Sequence, residues 1–183
     1  SGSGKSTFID ILIGLHAANK GEILVDGNNI QNNIKSWQNL IGCVPQEVFI
    51  LDDTLKKNIA FGLSEEKISE NNIERTLKFS NLLKFSNSLE NGVNTMIGEK
   101  GSRISGGQKQ RIGIARAIYS NPEILIFDES TNSLDVETEN KIIEEINQLK
   151  KDKTLIIVSH NKEIFNKCDH VFKIHNKKIE KVR

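Results

Sequence analysis

The phosphate-binding pattern at the start of the chain constrains the fold more than any other stretch. Residues 1–7 read Ser-Gly-Ser-Gly-Lys-Ser-Thr, which is the end of the pattern G-x-x-x-x-G-K-[ST] with its first glycine before residue 1. In such a loop the backbone N–H groups at Gly2 and Gly4 point at phosphate oxygens. Lys5 reaches the β- and γ-phosphates, and the Ser6 hydroxyl binds Mg²⁺. The candidate nucleotide-binding residues at this end are Ser1, Gly2, Ser3, Gly4, Lys5, Ser6 and Thr7.

Apolar residues at near-helical spacing follow this loop, namely Phe8, Ile9, Ile11, Leu12 and Leu15. The spacing predicts a helix whose N-terminus faces the phosphates. A glycine- and serine-rich linker is the alternative interpretation, but a linker is not followed at once by Lys-Ser-Thr and an apolar helix. A phosphate-binding loop normally follows a buried strand. We therefore expect that strand to lie before residue 1, so that the chain begins inside the motif.

Two apolar runs predict buried parallel strands, because neither run alternates with polar residues. Residues 124–127 precede Asp128 and Glu129, and residues 154–158 precede Ser159 and His160. Sheets of this class bind ligands at the carboxyl ends of their strands. Asp128 is thus a candidate for holding the water shell of Mg²⁺, and Glu129 for polarising an attacking water. Ordinary surface carboxylates are the alternative, which the phosphate-binding loop in the same chain disfavours.

Shorter stretches complete the predicted strands. Residues 41–44 predict a buried strand that leads to Gln46, and residues 21–27 predict a strand between turns. The end of the chain, residues 171–182, predicts a hairpin. On residue type alone, Gln46 is a polar loop residue and His160 is a surface histidine.

The stretch Ser105-Gly106-Gly107-Gln108 precedes an apolar helical pattern over residues 112–118. A hydroxyl, glycine N–H groups without a Cβ in front of them, and the positive end of a helix dipole together predict an anion site. An ordinary turn that caps a helix is an equally good interpretation of these four residues taken alone.

The composition describes a globular protein with a core, since 37% of the 183 residues are hydrophobic and 27% are charged. A net charge of +1 gives no indication of a nucleic-acid partner. No apolar run is long enough to span a bilayer. The two cysteines, Cys43 and Cys168, have no metal-binding or disulfide spacing and are predicted to be small buried hydrophobes in a reducing compartment.

Together these motifs resemble the nucleotide-binding domain of ATP-binding-cassette (ABC) ATPases, over essentially the whole chain. Walker A, Gln loop, signature, Walker B, D-loop and switch histidine follow one another in the family order. The chain departs from the family in beginning inside Walker A and in having Ile104 where the signature starts with leucine. The resemblance implies an α/β fold: a P-loop NTPase core with a mostly parallel sheet flanked by helices (residues 1–47 and 102–183). It also implies an inserted α-helical subdomain (residues 48–101).

The resemblance also assigns roles that the residue patterns leave open. It implies that Gln46 contacts Mg²⁺ and the attacking water, and that His160 contacts the γ-phosphate. Asp135 of Ser133-Leu134-Asp135, otherwise a helix N-cap, would belong to a D-loop at a dimer interface. Two such domains pair head to tail, so that Ser105, Gly106, Gly107 and Gln108 of one complete the ATP site of the other. The cofactors implied are ATP and Mg²⁺.

Within the family, residues 52–62 and the loop around Glu99 look most like those of exporters, although Glu99 is also interpretable as a solvated carboxylate. An exporter implies a transmembrane domain, fused on the N-terminal side, at the cytoplasmic face of the cell (inner) membrane. The partners implied are that domain and a second nucleotide-binding domain, with a homodimer expected and no nucleic acid. The alternative is a soluble ABC-type ATPase of DNA repair, chromosome organisation or translation. Long coiled-coil insertions typical of the chromosome class are missing between Walker A and the signature.

Overall fold

The computed structural model of the protein describes residues 4–98, 104–129, 144, 152–175 and 178–183. Its α-helices are α1 (Lys5–Leu12), α2 (Ile34–Asn39), α3 (Leu55–Ile59), α4 (Glu70–Phe79), α5 (Leu83–Ser88), α6 (Gly106–Ile118) and α7 (Lys162–Lys167). Its strands are β1 (Leu24–Val25), β2 (Asn28–Asn29), β3 (Ile41–Val44), β4 (Ile124–Asp128), β5 (Thr154–Val158), β6 (Phe172–His175) and β7 (Lys178–Lys181). Single 3₁₀ turns span Ile30–Asn33, Glu65–Lys67 and Gly92–Asn94.

A parallel sheet of order β3-β4-β5 confirms the predicted α/β class. Its register places Val44 beside Phe127, and Phe127 beside Ile157. The middle strand β4 is buried as predicted, with Leu125 and Ile126 fully covered. By contrast, β5 is only half-buried, because it is the edge strand of this sheet within the described residues.

Helix α6 belongs to both apolar clusters of the described structure. One of its faces packs against the sheet, in a cluster of Val44, Ile114, Ala117, Ile118, Leu125 and Phe127. Another face packs among the helices that follow β3, in a cluster that includes Leu55, Ile59, Ile73, Leu77, Leu82, Ile112, Ala115 and Tyr119. Anything that displaces α6 therefore affects the sheet and the helical region together.

The contact between α6 and β3 requires a glycine at position 42. A Cβ on Gly42 would overlap the carbonyl oxygen of Ala117 and lie 2.8 Å from Pro122 Cγ. A backbone carbonyl in the last turn of a buried helix cannot give way cheaply. Gly42 thus allows the sheet and the helix to approach each other closely.

Gly42→Ala in the full-length protein is expected to lower the unfolding midpoint of this domain by about 5 °C, because overpacking a filled core costs about 2 kcal/mol. Gly106→Ala is the matched control for stability, since a Cβ there would meet no atom within 4 Å. An unfolding midpoint that is the same for Gly42→Ala as for the wild type would contradict this account of the helix–sheet contact.

Two hairpins lie outside the main sheet. The strand predicted over residues 21–27 is wrong in extent, because the chain reverses at Asp26 and Gly27, whose φ angles are 50° and 79°. Positive φ at both central residues is the two-residue hairpin geometry that Asp-Gly favours, and only Leu24–Val25 and Asn28–Asn29 pair. The predicted C-terminal hairpin is confirmed as β6 and β7.

Smaller features also bear on the predictions. Trp37 is buried, and its indole Nε1–H donates to the carbonyl of Leu12 at 2.8 Å, which ties α2 to the end of α1.

Cys43 and Cys168 are half-buried rather than buried. Burial raises the pKa of the Cys43 thiol to about 11, so it stays protonated at neutral pH. Among the described helices, none is long and apolar enough to cross a membrane.

Candidate active site

The first turn of α1 presents backbone N–H groups that the helix itself cannot satisfy. The helix begins at Lys5, and Gly4 before it has a φ of +93° and no side chain to cap the helix. Helix termini of this kind leave their first N–H groups and a positive partial charge directed outwards. Ser6 and Thr7 lie exposed on this turn. The predicted binding residues Ser1, Gly2 and Ser3 lie outside the described residues.

The parallel sheet gathers three predicted site segments at one edge. Gln46 lies two residues after β3, Glu129 directly after β4, and His160 two residues after β5. Since the three strands are parallel and in register, their carboxyl ends lie at the same edge. The Gln46 side chain is exposed there. The edge is where α/β sheets bind their ligands.

Lys5, Glu129 and His160 meet in one cluster, although they come from three separate segments. Lys5 Nζ lies 3.1 Å from Glu129 Oε1, and His160 Nε2 lies 3.2 Å from the same oxygen. Lys5 Nζ and His160 Nε2 are 3.3 Å apart. The Nε2 atom accepts from the Lys5 ammonium in one tautomer or donates to the carboxylate in the other, and cannot do both. The cluster is a carboxylate in contact with the ammonium of Lys5 and the imidazole of His160.

The backbone of Glu129 adopts the left-handed conformation, with φ at 47°. For a residue with a Cβ this costs about 1 kcal/mol, and such outliers concentrate at functional sites. The Glu129 N–H donates to the carbonyl of Val158 at 2.9 Å, so the turn is fixed against the end of β5. The sequence predicts Glu129 as a site residue but does not predict this backbone turn, because no local signal such as glycine marks it.

The two adjacent acids have opposite pKa shifts. The hydrogen bond from Lys5 lowers the pKa of Glu129, and His160 adds to the effect. Burial first, and then the charges of Glu129 and Asp10, raise the pKa of Asp128. Asp128 is thus a carboxylate in a locally acidic, partly covered position, where a divalent cation would be favourable.

Two hydrogen bonds fix the backbone on both sides of His160. Asn161 N–H donates to Ser159 Oγ, and Glu163 N–H donates to Asn161 Oδ1, each at 2.9 Å. The second bond makes Asn161 the N-cap of α7. This support for His160 was not predicted, although an Asn at a helix start with Glu in the first turn is a sequence signal for it.

The stretch from Ser105 to Gln108 forms the N-terminus of α6 with a complete capping box. Ser105 Oγ accepts from the Gln108 N–H at 3.2 Å, and Gln108 Oε1 accepts from the Ser105 N–H at 2.9 Å. Ser105 and Gly106 are exposed. In the part of the chain that the structure describes, no hydrogen bond or ion pair joins this stretch to Lys5, Glu129 or His160. Asp135 lies outside the described residues.

The donors around the sheet edge fit a magnesium-bound nucleotide. Mg²⁺ binds oxygen ligands and is usually held by one or two carboxylates together with substrate phosphates. Asp128 and the Ser6 hydroxyl are donors of this kind. Among the described residues no group of three or more acidic, histidine or cysteine side chains could hold a metal ion.

Comparison with known proteins gives concordant results. Residues 1–132 match the family described as ABC transporter. An ATP-dependent lipid A-core flippase of Vibrio parahaemolyticus is 38% identical over 172 residues, which is 93% of this chain and 29% of the flippase. An export ATP-binding/permease protein of Rickettsia typhi is 39% identical over 180 residues, 98% of this chain and 31% of that protein.

A solved structure of a bacterial Atm1-family ABC exporter with ATP bound aligns with a TM-score of 0.88 at 33% identity. The alignment covers 97% of this chain and 31% of the exporter chain. The chain therefore spans about three tenths of the length of these relatives.

Proposed function

Because the chain belongs to the ABC transporter family, we propose that it is the ATP-binding and ATP-hydrolysing domain of an exporter. The observation that carries this proposal is the cluster of Lys5, Glu129 and His160, in which Lys5 Nζ, Glu129 Oε1 and His160 Nε2 lie within 3.3 Å of one another. A cation from the phosphate-binding loop and an acid after a buried strand are the parts that phosphoryl transfer to water requires.

Each residue of the site has a proposed task. The phosphate-binding groups come from Lys5 together with Ser1, Gly2, Ser3, Gly4 and Thr7. Mg²⁺, which would neutralise phosphate charge, would be held by Ser6, Gln46 and Asp128. Glu129 is the base that orients and polarises the attacking water, and His160 contacts the γ-phosphate. Lys5 is paired with Glu129 in the structure. Phosphate oxygens compete with Glu129 for Lys5. ATP binding therefore releases the Glu129 carboxylate, which can then polarise the attacking water.

We propose that the site is completed by a second copy of the domain, paired head to tail. The N-terminus of α6 supports this part of the proposal. Ser105 and Gly106 are exposed there, and a Cβ on Gly106 would meet no atom of this chain within 4 Å. The chain's own packing thus does not require a glycine at this position, whereas the close approach of an outside phosphate would. Gly107, Gln108 and Asp135 would contribute to the same interface.

The remaining proposals concern the whole protein. Relatives about three times as long as this chain bear the names of an export ATP-binding/permease protein and a flippase. We propose a transmembrane domain fused on the N-terminal side, with this domain at the cytoplasmic face of the inner membrane. Residues 1–47 and 102–183 would form the ATPase core, and residues 48–101 a helical subdomain that runs into α6.

His160→Ala in the full-length protein is expected to reduce ATP hydrolysis about 100-fold, because a preorganised polar contact to the developing charge is lost. Steady-state phosphate release measures the rate, and ATP binding is measured in parallel. His175→Ala is the matched control, since that exposed histidine lies at the end of β6. Wild-type turnover in the His160→Ala variant would refute the proposed role of this residue.

A further inference from the structure

We propose that Gly113 and Arg116 are positioning residues that hold the segment after Gln46 against α6, and so determine where Gln46 lies at the active-site edge. The inference rests on the proposed role of Gln46 in ATP hydrolysis. Three features of the described structure support it: the lack of a Cβ at Gly113, the hydrogen bonds of the Arg116 guanidinium, and the buried amide of Asn58. Each fixes a different part of residues 48–51, here called the 48–51 segment.

Gly113 lets the 48–51 segment lie directly on the helix. A Cβ at this position would come within 2.5 Å of Val48 Cγ2 and 3.2 Å of Val48 Cγ1. Gly113 is in the interior of α6 and is buried. Glycine in a helix interior is less favourable than alanine by about 0.5–1 kcal/mol, so its presence is explained by the contact with Val48. The valine side chain is branched at Cβ and cannot swing aside freely.

Arg116, one turn further along α6, binds the backbone of the same segment. Its Nη1 donates to the carbonyl of Phe49 at 3.0 Å, and its Nε donates to the carbonyl of Asn58 at 2.9 Å. Its guanidinium carbon also lies 4.6 Å from the centre of the Phe61 ring. The planar fork thus joins the 48–51 segment, the end of α3 and α6 in one arrangement that lysine cannot reproduce.

Asn58 fixes the other end of the segment. Its side chain is fully buried, its Oδ1 accepts from the Leu51 N–H at 2.8 Å, and its Nδ2 donates to the Leu51 carbonyl at 3.1 Å. A second bond from Nδ2 reaches the carbonyl of Thr54 at 3.0 Å. A buried amide whose bonds are all made holds its partners rigidly, because breaking them would leave unpaired polar groups.

Gln46 lies in a short link between two fixed points. Val44 is held in the sheet opposite Phe127, and Val48 is held on α6 by Gly113. Only the exposed residues 45–47 connect them, and a link of this length spans at most about 10–14 Å. A displacement of Val48 by about an ångström therefore passes to Gln46 with little loss. The position of Gln46 depends on where α6 lies relative to the sheet.

The first test uses Gly113→Ala in the full-length protein. We expect kcat for ATP hydrolysis to fall about 10-fold or more, because catalytic groups are sensitive to misplacement on this scale, while KM for ATP is unchanged. Val48→Ala removes the two Cγ atoms that clash, so the double variant Gly113→Ala/Val48→Ala should regain most of kcat. No loss in Gly113→Ala, or a loss that Val48→Ala fails to repair, would overturn the proposal.

A double-mutant cycle with Gln46→Ala separates this proposal from the proposed function. If Gly113 acts through Gln46, the Gly113→Ala loss should disappear in the Gln46→Ala background, and a loss that persists there overturns the positioning role. If Gln46→Ala lowers kcat and Gly113→Ala does not, only the positioning role fails. If Gln46→Ala leaves kcat unchanged, the catalytic role of Gln46 fails and the positioning role fails with it.

The second test adds hydrogen exchange, a readout that does not depend on turnover. Lysine cannot donate to both carbonyls that Arg116 binds. Arg116→Lys should therefore raise hydrogen exchange of peptides covering residues 45–51 in the nucleotide-free protein and lower kcat about 10-fold. Arg75→Lys is the matched control, because Arg75 Nη2 donates to the carbonyls of Ile118 and Tyr119 at the far end of α6. It should leave kcat and the exchange of residues 45–51 unchanged. Equal effects of the two variants would overturn the proposal.

Discussion

Glu129→Gln in the full-length protein is expected to lower ATP turnover by about three orders of magnitude while ATP still binds. The amide has nearly the shape of the carboxylate, so the turn at Glu129 and its backbone bond to Val158 can remain. What disappears is the negative oxygen that attracts a proton from the attacking water, and losses of this size are typical of a removed general base. Phosphate release under saturating ATP measures the effect.

The same substitution should strengthen ATP binding. In the structure Lys5 is paired with Glu129 at 3.1 Å, and the shift of the Glu129 pKa below its ordinary value reflects that pairing. Phosphate oxygens must displace the carboxylate before they can take the Lys5 ammonium. A neutral amide competes less well, so the dissociation constant for ATP should fall by about 3- to 10-fold.

Glu123→Gln is the matched control, since Glu123 is an exposed carboxylate just before β4, at the opposite end of the strand from Glu129. The turnover of ATP and the dissociation constant for ATP should both stay at wild-type values in this variant. Turnover of Glu129→Gln within a few-fold of wild type would remove Glu129 as the base. Unaltered ATP affinity would show that the pairing with Lys5 does not oppose nucleotide binding.

The parts of the site that the sequence predicts are those with a local physical signal. The run Ile124–Phe127 is apolar throughout because β4 has neighbours on both sides, and such a run followed by two acids identifies both the strand and its ligand-binding end. The helix after the loop at Gly4 and the capping box at Ser105 are also predictable, because apolar spacing and cap residues are local patterns of residue type.

What the sequence does not predict depends on how segments meet. The meeting of Glu129 with His160 follows from the sheet order, which places β4 next to β5 and fixes the Glu129 turn against Val158. The left-handed φ of Glu129 is imposed by this neighbour rather than by its residue type. Asn58 and Arg116 are an ordinary amide and cation in the sequence, and only packing reveals what they hold. The overlong strand predicted near residue 24 has a local cause, because the Asp26-Gly27 turn signal lies within it.

Ser105→Arg is expected to lower the rate of ATP hydrolysis by about 100-fold or more, while each protomer still binds ATP. A long cation at the positive end of α6 opposes the helix dipole and fills the space that a phosphate would occupy. Loss of the cap itself costs only about 1 kcal/mol. Lys5 and the first turn of α1 are separate from this position, so nucleotide binding to one chain should survive. A Ser105→Arg protein that hydrolyses ATP at the wild-type rate would refute any role of this stretch in the reaction.

Mixing two inactive variants then decides which chain Ser105 serves. Lys5→Ala protomers lose their own phosphate-binding cation, and Ser105→Arg protomers lose the α6 contribution. In a head-to-tail dimer of one of each, both lesions fall in the same ATP site, and the other site combines intact Lys5 with intact Ser105. Mixed dimers isolated through two affinity tags should therefore hydrolyse ATP well above either variant alone. If Ser105 instead served the ATP site of its own chain, each site would carry one lesion and the mixed dimer would stay inactive. Activity regained in the mixed dimer would mean that a single protomer cannot assemble a working site, so pairing of two domains is itself a step of catalysis.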